Sequence, residues 1–310
     1  MITSFFKTSK PIHYIIFSIV LVSLFFYQRI FVSSFEGNLL NYLKEVACLF
    51  VVIASFFTLI FIVTKNHLTQ NNSFAALFFC LFMGVFPQIL DYTSTLIANL
   101  FMLLSLRRIV SLKNKINIKK KILDATLWIC LATLFDSFSF FFFVPLAISL
   151  ALYSVFEIKN ILIPFFGVFA FVVLWTSFSL VAHDQLPNIN EYLPSLSFEV
   201  HDFIFHKNTV FSLFTATLLI IGIMNYFFSG FFQNRFNRSS IVLLIFIIAA
   251  GFTAFLCSPI ESKEVYVFIV APSAILMANF SETTKFHWMT DLIIVSLFIV
   301  TVLQIPFNIS

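Results

Sequence analysis

Long apolar runs are the feature that most limits what this chain can fold into. The segments Tyr14–Tyr27 and Val46–Thr64 contain no charged residue and lack the strict alternation of barrel strands. Such runs exceed what a water-soluble core absorbs, and in lipid the backbone polar groups must be satisfied within the segment. With 60% hydrophobic and 10% charged residues and a mean hydropathy of +1.02, the chain is predicted to be all-α, a polytopic bundle of transmembrane helices.

Eleven spans are predicted from stretches of about 17–25 apolar residues. They run approximately over 12–28, 44–64, 74–90, 92–110, 122–135, 138–156, 161–182, 209–228, 240–257, 264–281 and 289–306. With the N-terminus in the cytoplasm and the C-terminus in the periplasm, 14 of the 18 Lys and Arg residues fall on the cytoplasmic side. That bias is the one expected from the positive-inside rule.

Residues 1–310 are therefore predicted to form a single integral membrane domain, multi-pass in a bacterial inner membrane. Its larger hydrophilic stretches are outer loops near 28–43 and 183–208 and a basic cytoplasmic loop at 111–121. The four cysteines stand alone within apolar segments, which is typical of small buried side chains. The sequence contains no P-loop or dinucleotide-binding fingerprint, which argues against nucleotide chemistry.

Acidic residues at the predicted outer turns are the first candidates for chemistry. Glu36, Asp91 and Asp136 each lie in a different outer turn, so helical hairpins would bring all three to one surface. A carboxylate there could deprotonate an acceptor hydroxyl or position a metal near a lipid-linked phosphate. The alternative for Asp91 and Asp136 is capping of the following helix. No cofactor is predicted, and a divalent metal is left open.

Basic residues on the predicted cytoplasmic side are the second set of candidate functional residues. The densest stretch runs from Arg107 to Lys121. It is interpreted as a positively charged segment that fixes the orientation of the chain in the membrane and also contacts anionic lipid headgroups. The more specific hypothesis is a binding site for a lipid phosphate. The candidate phosphate- or lipid-binding residues in it are Arg107, Arg108, Lys119, Lys120 and Lys121. Nucleic-acid binding is not predicted.

Residues 72–182 resemble the membrane core of GT-C-type glycosyltransferases. The resemblance is carried by a span from Asn72-Ser73 to Phe86-Pro87, a turn at Asp91, a span ending in Arg107-Arg108, a basic loop, and spans containing Phe143-Val144-Pro145 and Ile163-Pro164. Those enzymes take sugars from polyprenyl-phosphate donors at the outer face. The whole chain, from Ser9-Lys10-Pro11 onward, also resembles an uncharacterised family of bacterial polytopic inner-membrane proteins.

The resemblance implies roles for four residues. Glu36 matches the catalytic acid of the first extracytoplasmic loop and would be the base, with Asp91 and Asp136 as rim acids and Arg29 paired with a phosphate. One departure is that such enzymes often carry two acids in that loop, whereas the nearest companion here is Glu45, nine residues on.

The leading functional hypothesis is GT-C-like handling of a polyprenyl-phosphate-linked sugar at the outer face, with a glycosyltransferase activity left open. The first alternative is a non-catalytic membrane subunit of an envelope assembly. The second is a lipid or small-solute translocator. The expected partners are membrane lipids, a polyprenyl-phosphate-linked glycan and another membrane protein.

Overall fold

The fold was analysed in a computed structural model of the chain. It describes residues 2–32, 39–187, 192, 194, 209–226, 238–259, 264–284 and 287–309. In these ranges all regular structure is helical. The helices are α1 (Ile2–Phe6), α2 (Pro11–Tyr27), α3 (Leu39–Asn66), α4 (Phe74–Val85), α5 (Thr93–Ser111), α6 (Ile118–Phe135), α7 (Phe143–Leu152), α8 (Ile158–His183), α9 (Thr209–Asn225), α10 (Arg238–Cys257), α11 (Val267–Thr283) and α12 (His287–Ile309).

Several of these helices could cross a bilayer. Within the described residues, seven helices are long and apolar enough to do so. This confirms the all-helical class and is the architecture of a multi-pass membrane protein. Each of the eleven predicted spans contains a described helix, but a helix such as α4, with 12 residues, is only about 18 Å long. Eleven crossings therefore stay a prediction.

Two breaks in the apolar pattern have local causes. The predicted span over 74–90 ends early, because Pro87 has no N–H to continue α4. A 3-10 helix, Pro87–Asp91, follows instead. The predicted break at residues 135–137 is confirmed, since α6 ends at Phe135 and Asp136 is extended.

The centre of the bundle is formed by α4 and α11. Every residue of α4 is buried, and α11 packs against α4, α5, α9 and α10. Small residues allow close contact around this pair. A Cβ atom added at Gly251 of α10 would lie 2.7 Å from Ile269 Cγ1, and one at Gly84 of α4 would lie 2.9 Å from Thr301 Cγ2. Helix α8 lies at the edge, where it packs on α6 and α7.

Contacts between helix ends define the two ends of the bundle. One, named the acidic end, gathers Gln28, Arg29, Glu45, Asp91, Tyr92, Asp136 and Glu264. The other, named the basic end, joins the end of α5 to the start of α6, through an ion pair of 2.9 Å between Arg108 and Asp124. That the acidic end faces the periplasm stays a prediction.

Candidate functional site

The acidic end begins with a change of helix type. After α2 the chain forms a π-helical turn, Gln28–Val32, an irregularity often found at functional sites. The Gln28 side chain, which is fully buried, donates from Nε2 to Oδ2 of Asp91 at 2.5 Å. This bond connects the end of α2 to the 3-10 helix after α4. It orients the Asp91 carboxylate, while Tyr92 occupies the N-cap position of α5.

Arg29 is held between three helices. Its Nε lies 3.1 Å from Oε2 of Glu45 on α3, and a terminal nitrogen lies 3.2 Å from the Thr93 hydroxyl on α5. The guanidinium carbon also lies 5.6 Å from the centre of the Phe25 ring. The predicted pairing of Arg29 with a phosphate stays a prediction, and such a phosphate would share the guanidinium with Glu45.

Asp136 caps a helix, and its predicted role as a rim acid stays a prediction. Its Oδ1 accepts a hydrogen bond of 3.0 Å from the backbone N–H of Phe138, so it caps the 3-10 helix Ser137–Phe142, as the capping alternative predicted. Its side chain also interacts with Thr95 of α5. Burial raises the pKa of Asp136 above the usual aspartate range, and these hydrogen bonds only partly offset that rise.

Glu264, just before α11, is the acid that sequence reasoning did not single out. It lies close enough to Asp136 for their charges to repel, and its Oε2 is buried without a hydrogen-bond partner among the described residues. Tyr92 lies close enough to Glu264 and Asp91 for the charges of both to act on its hydroxyl. Asp136 lies next to Glu264, so the four residues form one cluster.

The composition of the acidic end limits its chemistry. Among the described residues, the acidic end contains the four carboxylates of Glu45, Asp91, Asp136 and Glu264 and the guanidinium of Arg29, which pairs with Glu45. Of these, Asp136 has a pKa that burial raises, and a partly buried carboxyl of raised pKa is suited to exchanging a proton with a bound substrate. In the part of the chain that the structure describes, no three His, Cys, Asp or Glu side chains are placed to hold a metal ion. Glu36 lies outside the described residues, so its predicted role is not addressed.

An apolar cavity lies beneath the acidic end and shares two helices with it. Thr95 and Asn99 are one turn apart on α5, and Glu264 precedes Phe268 by one turn at the start of α11. Asn99 and Phe268 line the cavity, whereas Thr95 and Glu264 belong to the acidic end. The remaining lining residues are Met102, Leu103, Leu106, Ile109, Phe142, Pro145, Ile247 and Pro272.

At the basic end, three of the five candidate lipid-binding residues have local partners. The Arg107 guanidinium lies 4.6 Å from the centre of the Phe61 ring, and Arg108 pairs with Asp124. Lys121 donates from Nζ to the carbonyl of Ser111 at 2.5 Å. Lys119 and Lys120 are exposed. These side chains therefore form a basic surface, and α5 separates them from the acidic end by its 19 residues, about 28 Å.

Comparison with known proteins gives no relative from which a function could be transferred. No family model matches the chain, and no curated protein or solved structure is similar to it.

Proposed function

We propose that this protein is an integral membrane protein of the bacterial inner membrane that handles a polyprenyl-phosphate-linked sugar at the outer face, as GT-C-type enzymes do. The observation that carries the proposal is the meeting of Asp91, Asp136 and Glu264 at one end of the bundle, directly above an apolar cavity. A lipid-linked sugar has a polar group that lies at the membrane surface and an apolar chain that extends into the bilayer, and this shape matches that arrangement.

The proposed chemistry is transfer of the sugar to an acceptor hydroxyl. A carboxylate takes the hydroxyl proton, the acceptor oxygen bonds to the anomeric carbon, and the bond from that carbon to the phosphate oxygen breaks, so that polyprenyl phosphate leaves. Asp136 is the described residue best suited to the proton, because its pKa is raised by burial and Glu264 lies beside it. The resemblance instead implies Glu36 as the base, and that alternative stays a prediction, as does a divalent metal at the phosphate.

Transfer from a labelled polyprenyl-phosphate sugar to material in membranes containing the protein tests this proposal. Asp136→Asn retains a capping side chain but removes the proton acceptor, and we expect transfer to fall by about 100-fold or more. Asp184→Asn is the matched control, because Asp184 lies exposed just after α8. Full transfer by the Asp136→Asn protein would refute Asp136 as the base, and no transfer by the unmodified protein would refute the enzyme proposal.

One observation favours the non-catalytic subunit as a second candidate. Only 6% of the 18-residue apolar window within Ile158–Ala182 is buried, and the exposed side chains of this helix include Phe165, Phe166 and Phe169. A partner helix could cover this face. Cross-linking from Phe166, replaced by a photoreactive residue in intact membranes, tests this: a defined protein adduct supports the subunit, and adducts to lipid alone argue against it.

A further inference from the structure

The imidazole of His13, in the first turn of α2, is a buried titratable group that the proposed function does not use. It is fully buried, and its Nδ1 lies 2.7 Å from the hydroxyl oxygen of Ser73, just before α4. That hydroxyl donates to the carbonyl of Phe6 at 3.3 Å, so Nδ1 carries the proton of the bond between His13 and Ser73. The Nε2 atom is buried and has no hydrogen-bond partner among the described residues. The site therefore accommodates the neutral imidazole.

The cover over His13 is the segment of residues 2–10, named the strap, which contains α1. The ring centre of Phe5 lies 4.6 Å from that of the imidazole, and the ring centre of Phe6 lies 5.4 Å from it. The Phe5 side chain is itself 53% exposed. A thin layer of strap side chains thus separates the imidazole from solvent, and movement of the strap would expose it.

A small number of hydrogen bonds fasten the strap to α4 and α12. The backbone N–H of Thr3 donates to Oδ1 of Asp291 at 2.8 Å, and the backbone N–H of Ser73 donates to the carbonyl of Phe6 at 3.1 Å. Each such bond contributes only modestly to stability, so a change in the state of one buried group can decide whether the strap stays closed. Helices α2 and α4 both lead into the acidic end, so the strap lies at the opposite, basic end.

The charges around His13 disfavour a protonated imidazole under the closed strap. Lys10 lies close enough for its charge to act on the imidazole, and Lys7 is exposed on the strap. Helix α4 contributes no charged residue, and the acid of α12, Asp291, accepts from the N–H of Thr3. Aromatic rings attract a cation, but more weakly than burial without a partner penalises it.

We infer that the strap is a proton-sensitive closure of the basic end, which is closed while His13 is neutral and opens when His13 takes up a proton. Closure is complete above the ordinary histidine pKa of about 6.5. It weakens about tenfold for each pH unit below that value, because only the open state accommodates the proton. On the predicted orientation the strap responds to acidification of the cytoplasm. The inference does not depend on the chemistry proposed for the acidic end.

Thiol accessibility in the purified full-length protein, with the four natural cysteines replaced, tests this inference. Thr3 is 7% exposed under the closed strap, so Thr3→Cys reports opening. Lys119→Cys, at an exposed position, corrects for the pH dependence of the thiol reaction itself. We expect the ratio of the two maleimide rates to rise about tenfold from pH 8 to pH 5.5. A ratio that stays constant over this range would overturn the inference.

Three further variants, each combined with the two cysteine reporters, show whether His13 causes the rise. His13→Gln removes the titratable group and keeps a side chain that can hydrogen-bond Ser73, so the ratio should stay low at both pH values. His67→Gln is the matched control, because His67 is exposed, and it should retain the tenfold rise. Phe5→Ala keeps His13 but admits water to the imidazole, so the rise should shrink even if the His13→Gln protein misfolds. An undiminished rise in the Phe5→Ala or His13→Gln protein, or its loss in the His67→Gln protein, would overturn the inference.

Discussion

Helices α11 and α8 are both apolar enough to cross a membrane, yet they occupy opposite environments. In the 18-residue apolar window within Glu264–Thr283, 89% of the residues are buried, whereas in the corresponding window within Ile158–Ala182 only 6% are. The exposed side chains of α8 include Phe165, Phe166 and Phe169, whereas α11 buries Ala271, Ala274 and Ala278. Lipid is as apolar as a leucine side chain, so packing of small residues rather than hydrophobicity brings membrane helices together.

Truncation of a large side chain in the centre and at the edge is the strongest test of this comparison. Phe79 of α4 is fully buried and Phe169 of α8 is 68% exposed. We expect Phe79→Ala to lower the free energy of unfolding by about 3–5 kcal/mol, because it leaves a cavity. Phe169→Ala should change it by less than about 0.5 kcal/mol. Equilibrium unfolding in mixed micelles measures both, and equal losses would mean that α8 is not an edge helix.

Added volume at close helix contacts gives the next largest effect. A Cβ at Gly251 would meet Ile269 at 2.7 Å and one at Gly167 of α8 would meet Thr126 at 2.9 Å. Gly251→Val should destabilise the protein by about 1–3 kcal/mol, because the bundle surrounds the contact. Gly167→Val should cost less, since α8 can move outward into lipid. The midpoints of thermal unfolding compare the two, and a larger loss for Gly167→Val would contradict the central position of α10 and α11.

A buried and an exposed position can also be compared at the two carboxylates on α6 and at its C-terminal end, Asp124 and Asp136. Asp136 faces the acidic end and Asp124 pairs with Arg108 at the basic end. The pKa of Asp136 is raised by burial, so its protonated form favours folding. That contribution is complete below the ordinary aspartate pKa of about 3.9 and is lost as the pH rises through the raised value in the folded protein.

Asp136→Asn should therefore reduce the fall in stability between pH 4 and neutral pH, whereas Asp136→Ala should cost about 1 kcal/mol through loss of the cap. Unfolding curves recorded across this pH range check both variants. A pH dependence identical in the Asp136→Asn and unmodified proteins would show that Asp136 is not buried in the folded state.

The smallest expected effect is at the exposed ion pair. The side chains of Arg108 and Asp124 are 36% and 37% exposed, and such pairs contribute about 0–1 kcal/mol. Arg108→Met should lower stability by no more than that, and the difference should shrink in 0.5 M salt. Thermal unfolding at two salt concentrations measures it, and a salt-independent loss would indicate a buried role for Arg108.

The sequence predicted the helices better than their arrangement. The break at Asp136 followed from the interruption of the apolar run, and Pro87 marked the end of α4 by removing a hydrogen-bond donor. The predicted outer turns place acidic residues at one end of the bundle. Which of these residues are neighbours at that end depends on how the helices pack. Glu264 lies 128 residues from Asp136 in the sequence, and no local pattern indicated that they would meet.

The orientation of the acidic end is the claim on which the proposed function depends, and cysteine labelling in intact cells tests it directly. In a background with the four natural cysteines replaced, single cysteines would be placed at Asp184, in the predicted outer segment after α8, and at Lys120, at the basic end. We predict that a membrane-impermeant maleimide modifies position 184 in intact cells and position 120 only after permeabilisation. Labelling of position 120 but not 184 in intact cells would place the acidic end in the cytoplasm and contradict the account.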